Sequence, residues 1–305
     1  MILFSGLRFY RRSDQSVQLR KANPEVTVSR YFEDYADGSK PIWVYMLQRS
    51  RNTIRMLISL YQLPCLRIVP SAAVEGAAIR GRLLRHPALW RLSGFATPVL
   101  SLPPGAGQYS LGASKQTLRR KVRLAGRLGI HWTEVDDPRE RLNLLKLANE
   151  YEQTHPNVTY RNPNPGNDDL LSYRLWLVAR AADGRPLLLS VTPVDGELAL
   201  LRYFRTLGTG EEQSHARYFM TEVLTERLVR LGVRYLVDGS NLFWLPNGLR
   251  HFQRMVGFRI VRIRIAGPGR FGVGGTVRDG LDALSAQADS CDRRHADAPL
   301  AKPRT

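Results

Sequence analysis

The chain has 305 residues and is 43% hydrophobic, enough for a sizeable core in one large or two ordinary domains of about 100–200 residues each. Its formal net charge of +18 draws it to polyanions: nucleic acid, anionic membrane surfaces or phosphate-bearing carriers. The two distant cysteines, Cys65 and Cys291, exclude a disulfide framework and a cysteine-rich metal cluster.

The chain opens with MILFSGLRFYRR, a very short apolar run followed by arginines. A secretory leader has its charge first and roughly 7–15 apolar residues after it. No run approaches the roughly 20 apolar residues of a membrane span. Together with the cysteine usage, this predicts a cytoplasmic location, with peripheral membrane contact as the open alternative. Residues 1–113 read as an α+β region. The apolar runs PIWVYML (41–47) and MLISLYQLPCLRIV (56–69) are candidate buried strands, the second broken by Pro64, and Pro103-Pro104-Gly105 is a loop signal.

From Ser114 the periodicities sharpen. Lys115, Arg119, Arg120, Lys121, Arg123 and Arg127 stand without an acid between them, while Leu118, Val122, Ala125 and Leu128 recur at helical spacing. The pattern predicts an amphipathic helix from Ser114, as N-cap, to Gly129, with one face of cations. Ile130–Val135 reads as a strand, and Pro138 opens a helix that runs to Thr154. The segment 155–169 is a loop rich in proline and asparagine. In LWLVARAADGRPLLLSVTPVDGELALLRYF (175–204), Asp183-Gly184 and Asp195-Gly196 each separate two apolar runs. Asp-Gly suits type I′ turns, so the segment is predicted to be a three-stranded antiparallel meander. A helix over Ser214–Leu231, a strand over 233–239, a helix over 245–258 and an alternating strand over 259–265 complete the order. The segment from Gly267 is Gly-rich and then polar, and its last twenty or so residues are expected to be disordered.

This order resembles the GNAT acyltransferase fold. The segment Gly-Leu-Arg-His-Phe-Gln-Arg-Met-Val-Gly-Phe (248–258) is similar to that family's closing helix-to-strand signature, and the basic segment 114–130 is similar to one in Fem-type proteins, which are built from GNAT-like domains. The resemblance implies an α+β, three-layer architecture: a mixed, mostly antiparallel sheet flanked by helices, with an additional N-terminal α+β region. It divides the chain into residues 1–113, a partial second GNAT-like half in one reading, an acyltransferase domain over 114–266, and a tail over 267–305.

The implied activity is transfer of an acyl or aminoacyl group to an amine acceptor. The donor is acyl-CoA or another carrier such as aminoacyl-tRNA. The family holds the donor arm on the backbone of a splayed central strand, here Glu197–Phe204 with Tyr203 and Phe204. It holds phosphates at the start of the next helix, where unsatisfied amides and the dipole favour anions. The matching residues are Gly208, Gly210, Gln213, Ser214 and Arg217. The family's two loop glycines are replaced by Ala216 and Tyr218, and Glu211 and Glu212 add negative charge there. Phe252 stands where many members carry a tyrosine acid. Glu197 and Asp238 are the candidate general bases, with a turn residue and a strand-end cap as the competing readings. Tyr203 and Trp244 are candidates to line the acceptor cleft. Lys115, Arg119, Arg120, Arg123 and Arg127 are candidates to contact RNA or anionic lipid. The alternative function is a non-catalytic GNAT-like binding or regulatory module that uses this basic surface. The six histidines lack metal-ligand spacing, so no metal is expected. Gly267–Gly272 matches GxGxxG, but too little chain follows for a dinucleotide site.

Overall fold

The computed structural model describes residues 23–36, 41–84, 95–240, 242 and 245–265. Helices α1 (Pro24–Ala36), α2 (Ile42–Gln48) and α3 (Ser50–Gln62) precede strand β1 (Cys65–Ile68), helix α4 (Val74–Leu84) and strand β2 (Phe95–Ser101). Then come α5 (Gln116–Arg127), β3 (His131–Glu134), α6 (Pro138–Thr154), β4 (Leu175–Arg180), β5 (Pro186–Thr192), β6 (Val194–Asp195), β7 (Leu198–Leu200) and β8 (Tyr203–Thr206). Helix α7 (Glu211–Arg230), β9 (Tyr235–Val237), α8 (Asn247–Val256) and β10 (Arg259–Ile265) close the order. The predicted α+β, GNAT-like architecture is the one found.

Two sheets carry it. One runs β1-β10-β2-β9-β7-β6, with β1 parallel to β10 and β7 parallel to β9; the other is the antiparallel set β3-β4-β5-β8. On the second sheet, Trp176 and Val178 pack with Leu144 and Leu145 of α6, while Leu175 and Leu177 pack with Leu118 of α5 and Met220 and Leu224 of α7. Successive side chains of β4 therefore enter opposite cores, which is why the strand reads as a continuous apolar run. The first sheet is covered on one face by Ile79 and Leu83 of α4, and on the other by Phe32 of α1 and Met56 and Leu60 of α3.

Three expectations change. The runs at 41–47 and 56–69 are mostly helix, with a strand only at Cys65–Ile68. Their apolar residues serve helical faces, and Leu63, the residue before Pro64, ends α3 in extended backbone. The Asp-Gly turns are not type I′, because only Gly184 (φ +84°) and Gly196 (φ +58°) take positive φ, whereas that turn needs it at both central residues. Gly184 instead closes a loop in which the Asp183 carboxylate accepts the Arg185 N–H at 2.9 Å, beside a bulge at Ala179 and Arg180. Finally, the meander's third strand is two strands in two sheets. β7 pairs with β9, and β8 pairs with β5. The expected tail, the GxGxxG segment and Trp244 lie outside the described residues. Among the described residues, no helix is long and apolar enough to cross a membrane, and no three His, Cys, Asp or Glu side chains are grouped to hold a metal.

Candidate acyl-carrier site

The division of β7 from β8 builds the site. Leu198, Ala199 and Leu200 are in parallel register with Tyr235, Leu236 and Val237, and the last rung is the Leu201 N–H donating to Val237 O at 2.8 Å. Beyond it the strands separate. β9 gives its next residue to β2, where the Asp238 N–H donates to Pro98 O at 2.9 Å. β8 turns to β5 with Tyr203 opposite Val191, and it ends its sheet's order, so its outer edge faces no strand among the described residues.

β8 leads into the loop Leu207–Gly210 and the start of α7. Gly208 (φ +128°) and Gly210 (φ +143°) hold backbone conformations that a side chain would strain. The buried Gln213 amide fills this turn: a Cβ on Gly208 would meet its Nε2 at 2.7 Å, and one on Gly210 its Oε1 at 3.0 Å. Glu211 and Glu212 do not occupy the gap. The Glu211 side chain is 83% exposed and reaches His215 Nε2 at 3.2 Å. Glu212 reaches out to Arg185 at 2.7 Å. Ser214 is exposed and its amide is taken by Gly210 O at 3.1 Å.

Two turns into α7, Arg217 lies with its guanidinium carbon 5.6 Å from the centre of the Phe252 ring. Burial holds its pKa below the usual arginine value, while the phenols of Tyr160, Tyr218 and Tyr151 act on it electrostatically in the opposite sense. No carboxylate of the described residues lies within ion-pair distance of Arg217. Tyr218, which replaces a loop glycine of the resembled family, meets Phe252 edge-on at 5.2 Å. A phenol thus stands beside the Phe252 position, supplied by α7. Tyr151 packs edge-on against His155 at 5.1 Å, and His155 against Tyr160 at 5.5 Å. The Tyr151 hydroxyl is buried without a well-formed hydrogen bond. Burial raises its pKa, and the nearby Gly208 amide partly offsets that.

Sequence reasoning missed Tyr151, His155 and Tyr160. Tyr151 lies in the last turn of α6, whereas His155 and Tyr160 belong to the loop 155–169, which is tied down by a buried carboxylate: Glu152 accepts from Asn167 at 3.0 Å and from Asn162 at 3.3 Å and lies 3.6 Å from Arg205. Tyr203 lies on the same side as this network. Its hydroxyl is buried without a well-formed hydrogen bond among the described residues, and burial, with Glu152 adding to it, pushes its pKa far up. Phe204, next in the strand, packs into the opposite core. The two side chains therefore do not share a surface.

The candidate bases stand apart. Glu197 is solvent-exposed at the closed end of the β7–β9 pair, 3.5 Å from Arg234. Asp238 is one residue past the last rung, at the parting end, so roughly four residues at about 3.3 Å each separate the two. Asp238 is buried, its pKa is raised by that burial, and its oxygens accept from the Ser240 N–H at 2.8 Å and from the Gln253 amide.

The cations of α5 divide into two sets. Lys115 stacks 4.3 Å over the Tyr109 ring and donates to Val256 O at the end of α8; burial lowers its pKa to about 8. Arg119 donates to the carbonyls of Ser110 at 2.6 Å and Gly112 at 2.7 Å. Arg120, Arg123 and Arg127 are exposed and form no ion pair among the described residues.

No protein-family model matches the sequence, and no curated protein does. Solved structures give distant likenesses. The C-terminal (DUF2156) domain of a protein assigned as a lysylphosphatidylglycerol synthetase, from Agrobacterium fabrum, is 17% identical with a TM-score of 0.40. That match covers 65% of this chain and 64% of the other, so the chain spans less than two thirds of that relative. L-PGS from Bacillus licheniformis is 15% identical over 68% of this chain and 69% of its own, with a TM-score of 0.42. A conserved protein of unknown function from Bacteroides thetaiotaomicron VPI-5482 is 11% identical over 55% of this chain and 60% of its own, with a TM-score of 0.40.

Proposed function

We propose that the protein is a transferase that moves an acyl or aminoacyl group from a phosphate-bearing carrier to an amine. Arg217 carries this reading. It is a largely buried cation with no carboxylate partner among the described residues, set over Phe252 and flanked by phenols at the end of a strand that has left its neighbour. An unpaired charge removed from water is costly, so a site that keeps one is suited to an anion.

In this reading the carrier's anionic group rests on Arg217 and the hydroxyls of Tyr151 and Tyr160. The acyl-bearing arm lies along the outer edge of β8 and bonds to its backbone. Arg120, Arg123 and Arg127 meet phosphates farther along the carrier. The acceptor nitrogen attacks the acyl carbonyl carbon. A C–N bond forms and the C–S or C–O bond to the carrier breaks. The carrier leaves with that electron pair and takes up a proton, while the amine gives one up. Most of the acceleration comes from holding donor and acceptor together. Asp238 acts as a positioning residue that fixes the open end through Ser240 and Gln253, and Glu197 has no part in it.

A second reading, a binding module without catalysis, is favoured by Phe252, which has no proton to give, and by Gln213, which fills the glycine turn. Calorimetry with acyl-CoA and with an aminoacylated RNA hairpin, followed by a transfer assay to a primary amine, separates the two. Heat with one donor that falls at least about tenfold in Arg217→Met, with transfer falling in parallel, is the expected result for a buried charge-assisted contact. Binding without transfer supports the module, and no binding of either donor ends the transferase reading.

A further inference from the structure

Helix α3 is apolar on two opposite sides. Met56 and Leu60 enter the core with α1. Ile54, Leu57, Ile58 and Tyr61, spaced i, i+3, i+4, i+7, form a second stripe with exposures of 59%, 45%, 54% and 67%. Globular helices ordinarily carry one such stripe and are polar elsewhere. In α2, Tyr45 enters the same core, while Trp43 and Leu47, two residues to either side and so on the opposite face, are 63% and 71% exposed. Both helices therefore turn large apolar side chains away from one shared cluster.

The border of this surface is cationic. Arg51 and Arg55 lie along one edge of the α3 stripe and are exposed. Arg67 of β1 and Arg264 of β10 are register partners on the sheet face opposite Leu66, Ile68 and Ile263, the face that α3 covers, and both are exposed. None of these four forms an ion pair among the described residues. From Pro41 to Val69 the sequence has no acid.

We propose that the outer face of α2 and α3 is a docking surface for an anionic lipid bilayer, on which the two helices lie in the plane of the interface. An apolar stripe with arginines at its edge suits insertion at the headgroup boundary, with the cations meeting lipid phosphates. The same charge argues against a second copy as the occupant, since the patch would face its own like charges. It also argues against nucleic acid, which gives the apolar stripe no burial. This surface is separate from the carrier site and does not depend on it.

The test is sedimentation of the full chain with vesicles of phosphatidylcholine alone and of equimolar phosphatidylcholine and phosphatidylglycerol. Binding to the mixed vesicles is expected, weakening as salt rises. Ile54→Ser with Ile58→Ser should lower it by on the order of tenfold or more, because two large side chains lose their burial. Arg51→Glu with Arg55→Glu should remove the preference for the anionic vesicles. Brominated lipid should quench the wild-type fluorescence more than that of Trp43→Phe. All these positions are exposed, so circular dichroism should show unaltered folding. The proposal is overturned if the serine pair leaves vesicle binding unchanged. It is equally overturned if that pair instead converts a dimer to a monomer, or if substituting Arg120 and Arg127 is what abolishes binding.

Discussion

Arg217 sets opposed demands on stability and binding. Its guanidinium is drawn out of water against Phe252, with phenols rather than a carboxylate around it. Arg217→Met keeps the stem and removes the charge, so the variant should unfold at a higher temperature, by an effect on the order of 1 kcal/mol, while donor binding is lost. A loss of stability in calorimetry would show the arginine to be structural. Gly208 offers a second test at this scale. An added Cβ meets the Gln213 amide at 2.7 Å on a backbone of φ +128°. Gly208→Ala should cost about 1–3 kcal/mol, and adding Gln213→Ala should recover only the steric part, because the positive φ persists. Arg217 was legible from its place after Gln213 in the sequence. Tyr160 was not, because the loop that places it is folded by Asn162 and Asn167 binding Glu152, and those residues carry no periodic signal; Tyr151, on α6, was not, because the His155 and Tyr160 rings it meets come from that loop.

At the scale of the element, strong periodicity read well. The helix over Pro138–Thr154 and the strand over 259–265 were legible to the residue, the first because Asp137 caps it, accepting the Arg139 N–H at 3.1 Å, with Pro138 next. The break between β7 and β8 was hidden. The apolar run passes from Leu198 through Leu201 to Tyr203 with only Arg202 between, and only the arrival of β9 from far along the chain decides that the first half pairs with it. Helix α5 shows how a charged face can conceal a structural residue. Lys115 reads as one more surface cation, yet it satisfies the last carbonyl of α8. Its folded pKa of about 8 lies below the usual lysine value of 10.5. The folded state therefore binds fewer protons than the unfolded state between those values, and stability should rise as pH increases through that window. Melting temperatures measured across it should rise more in the wild type than in Lys115→Met, once the other titrating groups are matched between the two. An equal slope in both would mean that the amine is fully hydrated.

For the whole molecule, the arrangement of the first sheet decides what can fold alone. β2 lies between β10 and β9, pairing Val99 with Arg259 on one side and with Val237 on the other. β1 extends β10, and α4 covers Leu198, Leu200 and Val261 with Ile79 and Leu83. A chain beginning at Ser114 would keep the second sheet, α5, α6 and α7. It would leave β9 and β10 without the strand that joins them and would strip away the cover of α1, α3 and α4, keeping only the packing of Ala199 and Leu236 against α5, α7 and α8. Neither strand can find the other directly, since each is only three to seven residues long and pairs through β2. Asp238 would also lose Pro98 as the acceptor for its amide and Thr97 as the hydroxyl on its carbonyl, so the parting end of the candidate site would lose its support. The fragment 114–305 should therefore be insoluble or unfold without a cooperative transition, whereas the full chain should melt in a single step reported alike by far-ultraviolet and aromatic circular dichroism. Adding residues 23–113 as a separate chain should restore the cooperative step. A soluble fragment that melts sharply on its own would mean that the second sheet and its helices hold the site without β2.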